Sequence, residues 1–256
     1  MGQGGKGGGD GMNIGSFFTD PTNWSGPSGI PQLTAYHLYL TVLAVVIGAV
    51  IAIPVGAFIG HTGKGSFLVA GFANGFRALP ELGLLILFVE LIGLGVVPVT
   101  LALVVLAIPP FLAGTYSGVN NVDSAVIDAA RGMGMREWSI LFRVELPIAM
   151  PLILAGLRTA VLQVIATASI AAYIGTGSLG YFIFLGENTR NYTIMLGGAI
   201  VIAVLALVVE GLLVLVQRLV VSPGLRSVRQ RRRVVRSSSV TPSTMDVETA
   251  GGTSSS

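Results

Sequence analysis

The sequence predicts an all-α, polytopic membrane protein with five core transmembrane helices, the N-terminus outside and the C-terminus in the cytoplasm. Three observations carry this. Of 256 residues, 52% are hydrophobic and only 11% charged, against the ~25% charged of a soluble domain. The apolar residues gather into runs of the roughly 20 residues that cross a bilayer. The basic residues crowd into alternate connecting segments, as the positive-inside rule requires.

Residues 1–35 are Gly-, Pro- and Ser-rich. They hold no apolar stretch ahead of a small-residue cleavage site, which argues against a cleaved signal peptide. They are expected to form a disordered, extracytoplasmic tail, with the first span as an uncleaved signal anchor. The membrane domain is expected over residues 36–221. Its first span, Tyr36–Ile59, contains Pro54, and Trp24, Tyr36 and Tyr39 at its outer end suit an interfacial aromatic belt. The second, Phe67–Leu94, is polar in its first half. The third, Val96–Tyr116, carries Pro109-Pro110. The fourth is Pro147–Ile174 and the fifth Tyr192–Val220. Between these last two, residues 175–191 are Gly-rich and too short in their apolar centre to span alone; they form a re-entrant, interfacial or sixth segment.

Lys64 follows the first span, Arg131, Arg136 and Arg143 follow the third, and Arg218, Arg226, Arg229, Arg231, Arg232, Arg233 and Arg236 follow or close the fifth. The other connections hold only Arg190, and the N-terminal tail only Lys6. An outside N-terminus puts all three basic segments in the cytoplasm. Residues 222–256, basic and then Ser/Thr-rich, read as a disordered cytoplasmic tail. An Arg run directly after a membrane helix favours anionic lipid over nucleic acid.

The segment 122–147 is a charged island between apolar runs. Val122 to Arg131 has helical spacing, with Asp123 as N-cap and Ala125, Val126, Ala129 and Ala130 as a small, smooth face. Gly132 and Gly134 permit a sharp reversal. Arg136 to Arg143 then forms a second short helix, apolar through Trp138, Ile140, Leu141 and Val144, and Pro147 opens the fourth span. The expected product is a compact knob that docks into a groove on another protein.

Asp128, Ala129, Ala130, Gly134, Val144, Leu146 and Pro147 fall at the offsets of the cytoplasmic "EAA" loop of ABC-importer permeases, with Asp in place of Glu and Val in place of Ile. The segment thus resembles that loop. The stretches Asp128–Met135, Val144–Pro147, Ala155–Ala160, Ile174–Gly180 and Gly114–Val119 look like the osmoprotectant branch, permeases for glycine betaine, carnitine and choline. The resemblance covers about residues 30–225 and implies the five-helix permease fold of methionine-type importers. It also implies a partner ATP-binding cassette ATPase docked on the loop, a second permease, the same or homologous, and an extracytoplasmic substrate-binding protein. The chain has no G-x-x-x-x-G-K-[ST] phosphate loop, so it is expected to be non-catalytic and cofactor-free, with ATP bound by the partner. No cluster of Trp and Tyr inside the spans forms an aromatic cage for a quaternary ammonium group, which fits selection by a separate binding protein. Methionine-type importers share the gross pattern and supply an alternative substrate class.

Polar residues inside spans are costly and usually functional. Asn74, Arg77, Pro80 and Glu81 in the second span, with Gln163 and Tyr173 in the fourth, are the candidates for a pathway or gate. Arg77 and Glu81 are four apart and can pair on one helix face, either lining the pathway or as a structural pair near the cytoplasmic interface. Gln163, Thr167, Ser169 and Tyr173 can equally serve as interhelical hydrogen-bonding groups. Glu210 is expected to face a neighbouring helix or to snorkel. An ion-coupled secondary transporter using Arg77, Glu81 and Glu90 would show internal repeats and more spans, and an intramembrane enzyme would show a catalytic constellation; neither is present. His37 and His61 are distant in sequence from any carboxylate cluster, so no metal site is expected.

Overall fold

The structure, a computed structural model, describes residues 13–75 and 79–220. Every regular element among them is a helix. In chain order these are α1 (Ile14–Thr19), α2 (Ile30–Thr62), α3 (Ser66–Gly75), α4 (Glu81–Ile92), α5 (Val96–Asn120), α6 (Ser124–Gly132), α7 (Glu137–Ile140), α8 (Leu146–Ala168), α9 (Gly180–Asn188) and α10 (Tyr192–Val220). A π-helical turn, Leu141–Glu145, joins α7 to α8, and a 3-10 turn, Ile170–Ile174, follows α8. Among the described residues, four helical runs are long and apolar enough to cross a membrane: Ile30–Thr62, Val96–Asn120, Glu137–Ile174 and Tyr192–Val220.

α5 is the axis of the bundle, wedged between α2 and α8, with α3 and α4 also against it. Small residues let these backbones approach, which is how helices associate where lipid supplies no hydrophobic drive. α2 presents Gly48, Ala52, Gly56 and Gly60 at four-residue spacing. A Cβ on Gly56 would lie 2.9 Å from the Thr115 Cβ, and one on Gly60 2.8 Å from the Val119 Cβ. On the other side of α5, a Cβ on Gly114 would lie 2.8 Å from the Gly156 Cα of α8. The apolar core fills in around these crossings with Leu40, Ala44, Val99, Leu103, Phe111, Val164 and Ile165, all buried. His37 is buried among them; its Nε2–H donates to the Ile165 carbonyl (3.0 Å), tying α2 to α8.

Three expectations need correction. The second span is not one helix: α3 and α4 have ten and twelve residues, ~15 and ~18 Å at 1.5 Å per residue, each short of a hydrocarbon core of about 30 Å. Pro80 is the N-cap of α4 and lacks the N–H that would continue a helix through it. Residues 14–35, expected in a disordered tail, instead form α1, a 3-10 turn and the first turns of α2. Phe17 of α1 sits over Gly197 of α10 so closely that no Cβ could be added there, and its ring meets Phe182 of α9 edge-on at 5.2 Å. The fourth span is continuous with the loop before it: Pro147 falls in the first turn of α8, and the preceding π turn accommodates the missing donor.

Within residues 175–191 the chain forms the nine-residue helix α9, Gly180–Asn188, too short to span alone. Gly175 (φ +79°) ends the 3-10 turn, Thr176 Oγ1 donates to the Ala171 carbonyl (2.6 Å), and Gly180 packs against the Ser169 carbonyl with no room for a side chain. α9 lies on α10, which also meets α8 and α1; about half of the apolar residues of α10 are half-buried against these neighbours and the rest are exposed. The tail beyond Val220 lies outside the described residues.

Candidate functional site

The charged island folds as a knob between α5 and α8. Asp123 caps α6 through its carboxylate, which accepts from the Ala125 N–H at 3.0 Å. The helix ends in a Schellman turn: Gly134 N–H donates to the Arg131 carbonyl (2.8 Å) and Met135 N–H to the Ala130 carbonyl (3.2 Å). Gly134 has φ +82°, the left-handed conformation that the turn requires. Gly132 keeps ordinary helical geometry as the last residue of α6, so the reversal belongs to Gly134 alone.

The second half of the knob is shorter than expected. Helix α7 holds four residues and the chain then widens into the π turn. Its apolar set splits. Ile140 and Leu141 are buried, whereas Trp138 and Phe142 are 64% and 61% exposed and stack at 6.2 Å. With Met133 and Val126, also exposed, they give the knob an uncovered apolar surface. Of the residues the resemblance singles out, Asp128, Ala129, Gly134 and Pro147 are exposed, Ala130 is buried, and Val144 and Leu146 are half-buried at the root of the knob.

A chain of ionic contacts crosses the knob. Arg131 pairs bidentately with Glu137 (Nε–Oε1 2.8 Å, Nη2–Oε2 3.1 Å) and reaches Asp128 at 3.4 Å. The Glu137 carboxylate, by hydrogen bond and charge, holds the Arg131 guanidinium above its ordinary pKa. Glu137 also meets His61 Nε2 at 3.3 Å, and His61 Nδ1 meets Glu145 at 2.7 Å. His61, read from the sequence as remote from carboxylates, therefore stands between two of them, 76 and 84 residues away in the chain. No spacing rule reaches across that separation; the only hint was that span end and loop share one side of the membrane. The two carboxylates bind opposite nitrogens of one ring and do not converge. Among the described residues no group of His, Cys, Asp or Glu could hold a metal ion.

A second polar cluster lies where α4 meets α8. Glu81 Oε1 accepts from Gln163 Nε2 at 2.5 Å and Oε2 from Thr167 Oγ1 at 2.8 Å. A narrow recess beside them is lined by Leu85, Val99, Ala102, Leu103 and Ala171. Gln163 lies 17 residues into α8 from Leu146, or ~26 Å along the axis. The cluster is thus far from the knob, not at its end of the bundle where an Arg77–Glu81 pair was placed as one alternative. Arg77 and the side chain of Asn74 lie outside the described residues. Tyr173 takes no part: it sits in the 3-10 turn, exposed, with its ring 5.4 Å from Phe184. Glu210 of α10 pairs with Arg158 of α8, a neighbouring helix as expected.

The model of the family described as "binding-protein-dependent transport system inner membrane component" matches residues 44–222. The glycine betaine/carnitine/choline transport system permease protein OpuCB of Bacillus subtilis (strain 168) is 36% identical over 197 residues, 77% of this chain and 91% of that protein. The carnitine transport permease protein OpuCB of Listeria monocytogenes is 39% identical, over 69% of this chain and 81% of that one. The osmoprotectant import permease protein OsmW of Salmonella typhimurium (strain LT2) is 32% identical, over 77% and 94%. Among solved structures, an inward-facing MetNI methionine ABC transporter has a chain that superposes with a TM-score of 0.68 at 22% identity, covering 79% of this chain and 99% of its own. The bundle, the knob between α5 and α8 and these matches agree, and the chain belongs to the family of binding-protein-dependent transport system inner membrane components.

Proposed function

We propose that this chain is the translocating subunit of an ABC importer for compatible solutes of the glycine betaine, carnitine and choline class. The observation that carries this is the knob with its Schellman turn at Gly134 and uncovered Trp138–Phe142 face, in a chain 32–39% identical to permeases with those names. The knob docks into a cleft of a partner ATP-binding cassette ATPase, which binds and hydrolyses the ATP. Asp128, Ala129, Ala130, Gly134, Val144, Leu146 and Pro147 serve the coupling. Movement of the ATPase tilts α5 and α8, to which the knob is covalently joined. α3 and α4 together make the second of five spans, with the N-terminus outside and knob and C-terminus cytoplasmic. A second permease, the same or homologous, completes the pathway, an extracytoplasmic binding protein delivers the substrate, and the basic tail meets anionic lipid, not nucleic acid.

Glu81, held by Gln163 and Thr167 at membrane depth, belongs to the pathway or its outer gate, with Pro80 providing the break that lets Glu81 turn inward. Asn74, Arg77 and Tyr173 remain pathway candidates on position alone. The test is uptake in cells lacking other osmoprotectant importers, with the ATPase co-purified through a tag on this chain. Uptake of labelled glycine betaine, choline or carnitine that excess methionine does not compete is expected. Competition by methionine would move the substrate class to the methionine type. Uptake without ATP and without an associated ATPase would point to an ion-coupled carrier.

A further inference from the structure

We infer that His61 is a positioning residue that latches α2 to the knob, so that knob movement reaches α2 directly and not only the two helices it is chained to. This rests on the proposed role of the knob as the docking element of an ATPase. The knob is covalently continuous with α5 and α8, whereas α2 ends at Thr62 and leads into α3. Ala57 of α2 shares an apolar cluster with Leu141 at the root of the knob, and His61, in the last turn of α2, adds the polar bridge. Nδ1 meets Glu145 at 2.7 Å, at the threshold of α8, and Nε2 meets Glu137 at 3.3 Å, in α7.

The two bonds differ in kind. Glu145 is 1% exposed, and a buried carboxylate stripped of its partner is strongly unfavourable, so this bond is the fixed end. Glu137 has a side chain 54% exposed; an ion pair there is weak and exchanges readily with water, so this bond is the releasable end. Glu137 is in turn forked onto Arg131, which reaches Asp128. Five side chains, Asp128–Arg131–Glu137–His61–Glu145, thus connect the outer face of the knob to the end of α2. α2 packs on α5 backbone to backbone along Gly56 and Gly60, so a pull applied at His61 acts on a segment of α2 that is held against α5 rather than on a loose end.

The test is the complete transporter, with ATPase and binding protein, reconstituted in liposomes and scored as substrate moved per ATP hydrolysed. His61→Asn keeps one donor and removes the bridge. It is expected to lower that ratio about fivefold, within the range seen for substitutions along coupled networks, with ATP hydrolysis itself retained. Glu137→Gln, at the exposed end where folding is not at risk, is expected to lower the ratio too. The double variant is expected to be no worse than His61→Asn alone, because both cut one path. A ratio equal to wild type in both single variants overturns the latch while leaving the coupling role of the knob intact. Hydrolysis and uptake falling in parallel also overturn it, since His61 would then only hold the fold or the docking surface. A wild-type complex whose uptake needs no ATP overturns the coupling reading and the latch together.

Discussion

Gly134 shows how one residue separates backbone strain from docking. Its φ of +82° costs an L-residue ~1 kcal/mol, yet nothing lies within 4 Å of a Cβ built there. Gly134→Ala is therefore expected to lower stability by about 1 kcal/mol and leave most uptake. Gly134→Trp carries the same strain plus a bulk that only a partner's cleft can reject. It is expected to abolish uptake at normal membrane levels of the protein. Equal uptake in the two variants would show that no partner closes over this turn. At Glu81, substitution by Gln keeps the shape while removing the charge. Insertion is expected to be unchanged and choline uptake to fall about tenfold, the rate effect of ~1.4 kcal/mol. Unchanged uptake would reduce the Glu81–Gln163–Thr167 cluster to interhelical glue.

At the scale of elements, the bundle depends on where glycines lie rather than on how apolar a helix is. α10 has the same lipid-compatible composition as α2 but little of it is buried. The α5–α8 crossing at Gly114 and Gly156 admits no side chain without moving backbone. Gly156→Leu is expected to separate these helices and cost several kcal/mol, at the overpacking extreme or beyond, read as loss of monodisperse protein and a lower melting temperature in detergent. Gly211→Leu on α10, where a Cβ meets nothing within 4 Å, is the control and should be neutral. Similar losses in both would refute the close-packing account. The same logic explains α1: Phe17 over Gly197 pins an N-terminal segment whose composition alone reads as tail.

At the scale of the whole molecule, the knob and the N-terminal helix α1 should lie on opposite sides of the membrane. Ser16 and Met133 are both exposed in the fold, so neither position is protected by protein. A cysteine at Ser16 is expected to react with an impermeant thiol reagent on intact cells, and one at Met133 only after permeabilisation. The reverse pattern would invert the proposed orientation.

The all-helical class and its long apolar helices were legible because hydrocarbon thickness imposes run length and hydropathy on any spanning helix, and α5 and α10 begin at the expected residues and α10 ends at Val220. The knob was legible because capping and reversal are local: the Asp123 carboxylate accepts from the Ala125 N–H, and the N–H groups of Gly134 and Met135 close back on the Arg131 and Ala130 carbonyls. What only the tertiary structure decided was every contact between distant segments. A sequence window cannot show that His61 meets Glu145, that Glu81 turns to Gln163 of α8, or that Phe17 finds a glycine 180 residues away. Such pairings follow from helix register and close approach across the bundle, which are fixed by the packing of small residues on three helices at once.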